Sequence, residues 1–228
     1  KEKIGVQLQS SAYYNFLSLK EILELFGGFY NKRINADTLL EMVDLQEKAN
    51  QLIGHLSGGQ KHRFSIVASL VNDPEIVFLD EPTTGLDPLA RRNLWKLITE
   101  IKDQGKTIIL TTHYMEEAEL LCDRIAIMER GKILVAGPTH ELIEETENPY
   151  RINITASKLT RSTENKLNGL GQVEKLIKSQ GYEIKIKTKA SLHKALDLIT
   201  PLAPENISVG HASLEDLFIE LTGKTIEE

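Results

Sequence analysis

Hydrophobic residues in the first 70 positions recur at helical spacing. In residues 15–30, NFLSLKEILELFGGFY, one helical face would carry five apolar side chains before two glycines interrupt it: Phe16, Leu19, Ile22, Leu23 and Phe26. Two further segments, residues 35–45 (NADTLLEMVDL) and 58–72 (GGQKHRFSIVASLVN), also predict helices. A strand-like KIGVQLQ at residues 3–9 comes before them, so we expect a mainly helical region over residues 12–70.

The pattern changes to short, continuous apolar runs after residue 74. EIVFLD (75–80) and TIILTTH (107–113) are typical of strands buried on both faces of a parallel sheet. The helix predicted between them begins at Asp87-Pro88, a side-chain cap followed by proline, and ends at Gly105. Its expected apolar stripe comprises Ala90, Leu94, Leu97, Ile98 and Ile101. A further helix (114–123) and a hairpin around Arg130-Gly131 follow. This alternation of strands and helices predicts an α/β fold.

The pattern changes again near residues 144–149. Alternating segments at 150–156, 182–189 and 205–211 predict strands, whereas residues 191–203 and 213–223 predict helices. We therefore expect a small α+β domain over residues 149–228, with a boundary near residue 148.

Composition and charge exclude several classes of function. The chain has 228 residues, of which 41% are hydrophobic and 26% charged, values typical of a globular protein. A net charge of −6 argues against a broad electrostatic surface for nucleic acid. The single cysteine excludes an internal disulfide, and no apolar run approaches the roughly 20 residues of a membrane-spanning helix.

Three ionisable residues follow the two apolar strands. Asp80 and Glu81 end the first strand and His113 ends the second, and ligands of α/β sheets bind at the carboxyl ends of the strands. Asp80 would hold Mg²⁺ through water, Glu81 would accept a proton from attacking water, and His113 would contact a terminal phosphate. The alternative is a strand end capped by solvated acids, with His113 in a capping or packing role.

A second candidate site is LSGGQ, at residues 56–60. Ser57 offers a hydroxyl, while Gly58 and Gly59 let backbone N–H groups come close to an anion at the start of a helix. The alternative is a loop that only needs two flexible glycines.

The order and spacing of these segments resemble the nucleotide-binding subunit of ABC (ATP-binding-cassette) transporters. LSGGQ resembles the family signature, IVFLDEP the magnesium strand with its catalytic glutamate, TTGLD the loop that carries Asp87, and TTH the switch histidine. IGVQLQ resembles the glutamine loop and makes Gln9 its glutamine, although a glutamine at a strand end is usually just solvated. The resemblance covers about residues 4–142. The segment that begins at TTHYMEEAELLCDRIAIMERGKILVAG, together with the SLEDLFIELTG tail, resembles the exporter branch.

The resemblance implies a P-loop-NTPase-like cassette with a helical subdomain, followed by a small α+β domain. Its cofactors would be ATP and Mg²⁺, with Asp80 and Gln9 at the metal and Glu81 and His113 in catalysis. Five further contacts with nucleotide are implied across the interface of two cassettes or beside it: Ser57, Gly58, Gly59, Gln60 and Asp87.

The same resemblance implies partners and a location. The partners are a second cassette and a separate integral-membrane permease, with no nucleic acid, at the cytoplasmic face of the cell membrane. In the family the helical region meets the permease. Most of its apolar residues would pack inward, and an aromatic residue such as Tyr13 or Tyr14 would be exposed for contact.

One expected motif is missing from these residues. A phosphate-binding loop has the pattern G-x-x-x-x-G-K-[ST], but both GKT segments (105–107 and 223–225) lack the first glycine, since Glu100 and Phe218 occupy that position. In the family this loop precedes the glutamine loop, so the cassette is expected to be N-terminally incomplete here, and this chain alone to hydrolyse little or no ATP.

Three functions remain open on the sequence. The first is an ATPase that couples hydrolysis to export. The second is a non-catalytic module that donates LSGGQ to a complete partner. The third is a DNA-repair or chromosome ATPase, which is disfavoured because the chain contains no sustained heptads.

Overall fold

The computed structural model describes residues 2–8, 13–155, 159–176 and 181–223. The chain divides into two compact units, Lys1–Leu121 and Cys122–Glu228. Each unit is described by itself below.

A three-stranded parallel sheet organises the first unit. Its strands are β1 (Ile4–Gln7), β2 (Ile76–Asp80) and β3 (Thr107–Thr111), with β2 in the centre. Asp80 lies directly opposite Thr111 in the register of β2 and β3. Because the strands are parallel, the carboxyl ends of β2 and β3 lie side by side, as predicted.

Five helices accompany this sheet in the described chain. They are α1 (Leu19–Gly27), α2 (Ala36–Glu41), α3 (Gly58–Ala68), α4 (Pro88–Asp103) and α5 (Met115–Leu121). Short 3-10 turns at Gln46–Lys48 and Ile53–His55 separate α2 from α3. The apolar positions of α1 to α3 form a buried core that includes Leu19, Ile22, Leu39, Leu40 and Phe64. The helices of this region are therefore as predicted, but α1 begins at Leu19, so Phe16, which was expected on its apolar face, lies before the helix and is exposed.

The ends of α4 follow from its sequence. The Asp87 side chain accepts hydrogen bonds from the Leu89 and Ala90 N–H groups, and Pro88 supplies the first helical residue. Gly105 adopts a φ of 85° just beyond the helix, a conformation that favours glycine. Four residues of the predicted apolar stripe are buried, namely Leu94, Leu97, Ile98 and Ile101, whereas Ala90 in the first turn is only half-buried.

The expectation that the apolar strands are buried on both faces is wrong for the described chain. Val77 and Leu79 are buried, but Phe78 between them is 37% exposed, and Ile109 on β3 is 47% exposed. Successive side chains of a strand point to opposite faces of the sheet, so within the described residues one face is packed and the other is open to solvent.

The second unit contains a hairpin and a four-stranded antiparallel sheet. Strands β4 (Arg124–Glu129) and β5 (Lys132–Pro138) form the hairpin, and α6 (Thr139–Glu144) follows. The sheet comprises β6 (Tyr150–Thr155), β7 (Gly171–Leu176), β8 (Gly181–Ile186) and β9 (Asn206–His211), in the order β7-β8-β6-β9. The predicted boundary near residue 148 lies inside this unit, between α6 and β6.

Three helices complete the second unit: α7 (Arg161–Asn168), α8 (Lys189–Ile199) and α9 (Leu214–Thr222). The succession β6-α7-β7-β8-α8-β9, with this strand order, is the split βαβ topology. Its core is apolar and includes Ile152, Ile184, Ile186, Leu192 and Ile199. Over the ranges that the structure describes, no helix is both long and apolar enough to cross a bilayer.

Candidate functional site

Thr111 joins the ends of β2 and β3. Its hydroxyl donates a hydrogen bond of 2.5 Å to the Asp80 Oδ1 atom. The Glu81 N–H group donates in turn to the Thr111 carbonyl oxygen at 3.1 Å and to its Oγ1 atom at 3.2 Å. Asp80, through its carboxylate, and Glu81, through its backbone N–H group, are thus bonded to the same residue of the neighbouring strand.

Glu81 lies at a sharp turn of the chain. Its φ of 46° is in the left-handed region, which turns the backbone immediately after the strand. The Thr84 hydroxyl donates to Glu81 Oε2 at 3.1 Å, and His113 Nδ1 lies 3.6 Å from Glu81 Oε1. The structure therefore brings together the predicted residues Asp80, Glu81 and His113.

This group has the donors that a magnesium–phosphate complex needs on the protein side. Mg²⁺ in nucleotide sites keeps several waters and takes only one or two carboxylates, with the phosphates supplying other ligands. The carboxylates of Asp80, which is exposed, and Glu81, which is half-buried, are of this kind. Within the described ranges no group of three carboxylate, imidazole or thiol side chains converges on a metal position.

The predicted residue Asp87 has a structural role in addition to any contact with nucleotide. Its Oδ1 atom accepts both hydrogen bonds of the α4 cap, at 3.0 Å from Leu89 N and 2.9 Å from Ala90 N. The residue is nevertheless exposed, so the loop from Glu81 to Asp87 runs from the strand end to solvent.

The LSGGQ segment forms the first turn of α3. Ser57 and Gln60 make a reciprocal capping box, in which Ser57 Oγ accepts from Gln60 N and Gln60 Oε1 accepts from Ser57 N. A Cβ atom added to Gly58 would meet nothing within 4 Å in the described part of the chain, and one added to Gly59 would lie 3.6 Å from the Ala90 Cβ atom. The start of α3 therefore lies beside the start of α4, and Gly58 faces open space.

Gln9 lies outside the described residues, so its contact with the metal stays a prediction. Gln7, two positions earlier, is buried at the end of β1. Its amide nitrogen donates to the Leu8 carbonyl at 2.8 Å, while its buried Oε1 atom has no hydrogen-bond partner among the residues described.

Sequence reasoning missed Thr84 and Thr111. Both are threonines within the recognised segments TTGLD and TTH, but their contacts with Glu81 and Asp80 depend on the turn at Glu81 and on the register of β2 and β3. The signal available in the sequence was a threonine in the first two positions of each segment.

Comparisons with known proteins give consistent matches. A family model described as ABC transporter matches residues 1–84. The linearmycin resistance ATP-binding protein LnrL of Bacillus subtilis is 33% identical over 242 residues, which cover 100% of this chain and 77% of the relative. The Nod factor export ATP-binding protein I of Rhizobium leguminosarum is 34% identical over 239 residues, which cover 100% of this chain and 73% of the relative.

Solved structures agree with these relatives. The structure of an ATP-binding subunit of an ABC transporter matches with a TM-score of 0.54 and 28% identity, over 62% of this chain and 61% of that one. The cbiO1 protein of Clostridium perfringens, part of the ABC transporter complex cbiONQ, matches with a TM-score of 0.54 and 30% identity, over 63% of this chain and 60% of that one.

Proposed function

Because this chain belongs to the family of ABC transporter ATP-binding proteins, we propose that it couples ATP binding and hydrolysis to export through a separate membrane permease. The predicted resemblance and the predicted α/β cassette fold are both confirmed. The observation that carries the proposal is the convergence of Asp80, Glu81 and His113 at the carboxyl ends of β2 and β3. The export direction follows the names of the relatives.

In this proposal each residue of the group has a separate task. Asp80 holds Mg²⁺ through water, with Gln9 as a further metal contact, and Mg²⁺ when bound neutralises charge on the phosphates. Glu81 accepts the proton of the attacking water, and Thr84 holds one of its oxygens while leaving the other 3.6 Å from His113. His113 contacts the terminal phosphate.

The start of α3 would serve the ATP of a second cassette. Gly58 faces open space, and the N–H groups of a helix start attract anions. Ser57, Gly59 and Gln60 complete this surface, and Asp87 lies on the neighbouring loop at the start of α4. Two cassettes, identical or different, would therefore be needed for one closed ATP site.

Exposed aromatic residues of the helical region are the proposed contact with the permease. Phe16 is 76% exposed, Phe29 is 75% and Tyr14 is 53%. Tyr13 instead packs inward, with its ring centroid 5.4 Å from that of Phe64 and 6.1 Å from that of Phe26. Of the two tyrosines predicted as candidates, Tyr14 is therefore the one we assign to contact.

The remaining assignments follow from the same proposal. Residues 1–148 belong to the nucleotide-binding domain, and residues 149–228 form an accessory domain. The protein works at the cytoplasmic face of the cell membrane, where the permease holds it.

The decisive experiment measures ATP hydrolysis by the natural gene product assembled with its permease in lipid vesicles. Glu81→Gln should lower kcat by at least about 100-fold, because general-base catalysis contributes 10² to 10⁴, while ATP binding is kept. Glu116→Gln, an exposed glutamate early in α5, is the matched control and should leave kcat unchanged. Equal rates in the Glu81→Gln variant and the natural protein would overturn the assignment of Glu81.

A second function is favoured by one observation. The start of α3 is open at Gly58 and carries an intact capping box, an arrangement that suits a module donating Ser57 and Gly58 to a complete partner. In that case Gly58→Ala would reduce hydrolysis by the assembly, whereas Glu81→Gln would have no effect.

A further inference from the structure

Two side-chain contacts join α4 to the start of α5. The Trp95 indole N–H donates to the Glu117 Oε1 atom at 2.9 Å, and both side chains are buried. The Arg91 guanidinium lies over the Tyr114 ring, 4.0 Å from its centroid, in a cation–π contact. We name these four residues the clasp: Arg91, Trp95, Tyr114 and Glu117.

The clasp is built on helical spacing. Arg91 and Trp95 are four residues apart, and Tyr114 and Glu117 are three apart, so each pair lies along one face of its segment. The two contacts therefore lie one helical turn apart along α4, and they hold both Tyr114, directly before α5, and Glu117 within α5. A single contact would leave α5 free to pivot, whereas two contacts fix its orientation.

His113 is the residue next to the clasp. Its ring centroid lies 4.2 Å from that of Tyr114, and its Nδ1 atom lies 3.6 Å from Glu81 Oε1. The Tyr114 N–H donates to Thr112 Oγ1 at 3.0 Å, which closes the turn between β3 and α5. The orientation of Tyr114 therefore sets where the imidazole can lie relative to Glu81.

The chemistry of the clasp is poorly suited to stability alone. Glu117 is fully buried, and its Oε2 atom, like the buried Arg91 Nε, has no hydrogen-bond partner among the described residues. Apolar side chains of similar size would fill this position at a lower desolvation cost. The hydrogen bond between Trp95 and Glu117 and the cation–π contact of Arg91 both depend on direction. They therefore suit a role in fixing the orientation of the segments that they join.

We propose that Arg91 and Glu117 are positioning residues that hold His113 opposite Glu81. The proposal rests on the function proposed above for Glu81 and His113. It adds that the His113 imidazole moves together with α4. The first turn of this helix is capped by Asp87. A displacement of the Asp87 loop would then be transmitted to His113 through Arg91 and Trp95.

The first test needs no nucleotide and uses the 228-residue chain. Trp95 is its single tryptophan, so indole emission reports on this contact alone. His113 is one of only six histidines, so NMR can assign its ring signals with the help of a His113→Gln variant. Arg91→Met should shift the His113 ring signals selectively, and Glu117→Leu should shift both His113 and the Trp95 emission. Glu117→Gln retains an acceptor for the indole and should restore both. Arg92→Met, an exposed neighbour on α4, is the matched control.

The second test measures steady-state ATP hydrolysis by the natural gene product with its permease. Arg91→Met should lower kcat roughly 10-fold with KM for ATP nearly unchanged, since a misplaced catalytic group costs rate rather than binding. Glu117→Gln should remain within about twofold of the natural protein, by the same reasoning.

Failure of this proposal can be told apart from failure of the proposed function. Unshifted His113 signals together with an unchanged kcat in Arg91→Met would overturn the positioning role, even if Glu81→Gln is inactive. An assembly without ATPase activity would count against the proposed function, and the NMR arm would still decide whether Arg91 positions His113.

Discussion

The Thr111 hydroxyl group contacts both Asp80 and Glu81 at the end of β2. It donates to Asp80 Oδ1 and accepts from Glu81 N. Thr111→Val keeps the shape of the side chain and the strand propensity but removes both bonds. We expect a loss of about 1 kcal/mol in the free energy of unfolding and a larger, roughly 10-fold, loss of kcat, because both groups shift together.

Thermal unfolding and steady-state hydrolysis measure these two effects separately. Thr107→Val changes an exposed threonine at the opposite end of β3 and controls for a threonine-to-valine change on this strand. Thr111→Val also lowers kcat if part of the protein unfolds. A loss of kcat no larger than this unfolded fraction accounts for would contradict a specific role for Thr111 at the site.

A substitution at Gly58 should affect the binding of an anion without weakening the fold. A Cβ atom there meets no described atom within 4 Å, and alanine is a better helix former than glycine. Gly58→Ala should therefore leave the melting temperature equal or slightly higher. It should lower hydrolysis by the assembled protein at least about 10-fold, because the methyl group occupies the space an anion would need at the helix start.

Gly54→Ala is a matched control, since Gly54 also faces open space but lies outside the signature. Comparable losses of activity in both variants would mean that the effect of Gly58→Ala is not specific to the signature.

The residues of the site differ in how far the sequence could predict them. Asp80, Glu81 and His113 could be placed together because two apolar runs predicted parallel strands with adjacent carboxyl ends. Thr84 and Thr111 could not, because their contacts depend on the left-handed φ of Glu81 and on a strand register that hydrophobic pattern alone does not determine.

At the level of elements, an ion pair joins α9 to strand β6 within the second unit. Arg151 Nη2 on β6 lies 3.0 Å from Asp216 Oδ1 in the first turn of α9, and Ser213 caps the same helix by exchanging hydrogen bonds with Asp216. Burial raises the pKa of Asp216, but the hydrogen bond from the Ser213 backbone and the Arg151 guanidinium outweigh it, so the net pKa lies below its ordinary value of 3.8.

This lowered pKa makes the stability of α9 depend on pH. A carboxylate whose pKa is depressed in the folded state contributes stability above its unfolded pKa and loses it as the pH falls through the folded value. Between pH 6 and pH 3 the natural chain should lose about 1 kcal/mol more than Asp216→Asn, after allowance for the partly exposed carboxylate. Urea unfolding at both pH values measures the difference, with Asp197→Asn on α8 as control. Equal pH slopes in the natural and Asp216→Asn chains would rule out this contribution.

Elements with strong periodicity were predictable and those without it were not. The ends of α4 followed from Asp87-Pro88 and Gly105, and its buried face from four apolar residues. Helix α7 escaped prediction because RSTENKLN buries a single apolar residue, Leu167. Strand β7 (GQVEKL) has too few apolar positions to alternate clearly, and its pairing with β8 decides its conformation.

At the scale of the whole molecule, the first unit exposes one apolar face of its sheet. Val6, Phe78 and Ile109 lie in one row across β1, β2 and β3, and all three are exposed in the described chain. The sequence predicted these runs as buried on both faces because continuous apolar strands usually are. A continuous apolar run therefore indicates that both faces of a strand are suited to packing. In the described chain, other residues pack against only one of these faces.

The phosphate-binding capacity of these 228 residues is the last prediction. Their site supplies two carboxylates and one imidazole, and the chain has a net charge of −6 and no Gly-rich loop with its lysine. An ATP molecule would bring further negative charge to this group, and Mg²⁺ held by one or two carboxylates cannot by itself offset the missing N–H groups. We therefore expect calorimetric titration of Mg²⁺–ATP into this 228-residue chain to show no saturable binding.

The calorimetric result separates two accounts of the site. Absence of binding means that Asp80, Glu81 and His113 act on phosphates held by other groups, and the same titration should become saturable when a segment containing G-x-x-x-x-G-K-[ST] is joined ahead of Lys1. Stoichiometric binding that is lost in Asp80→Ala would instead show that the ends of β2 and β3 hold the phosphates directly. The Gly-rich loop would then be dispensable for binding, and the open helix start at Gly58 would be the first place to look for the compensating contacts.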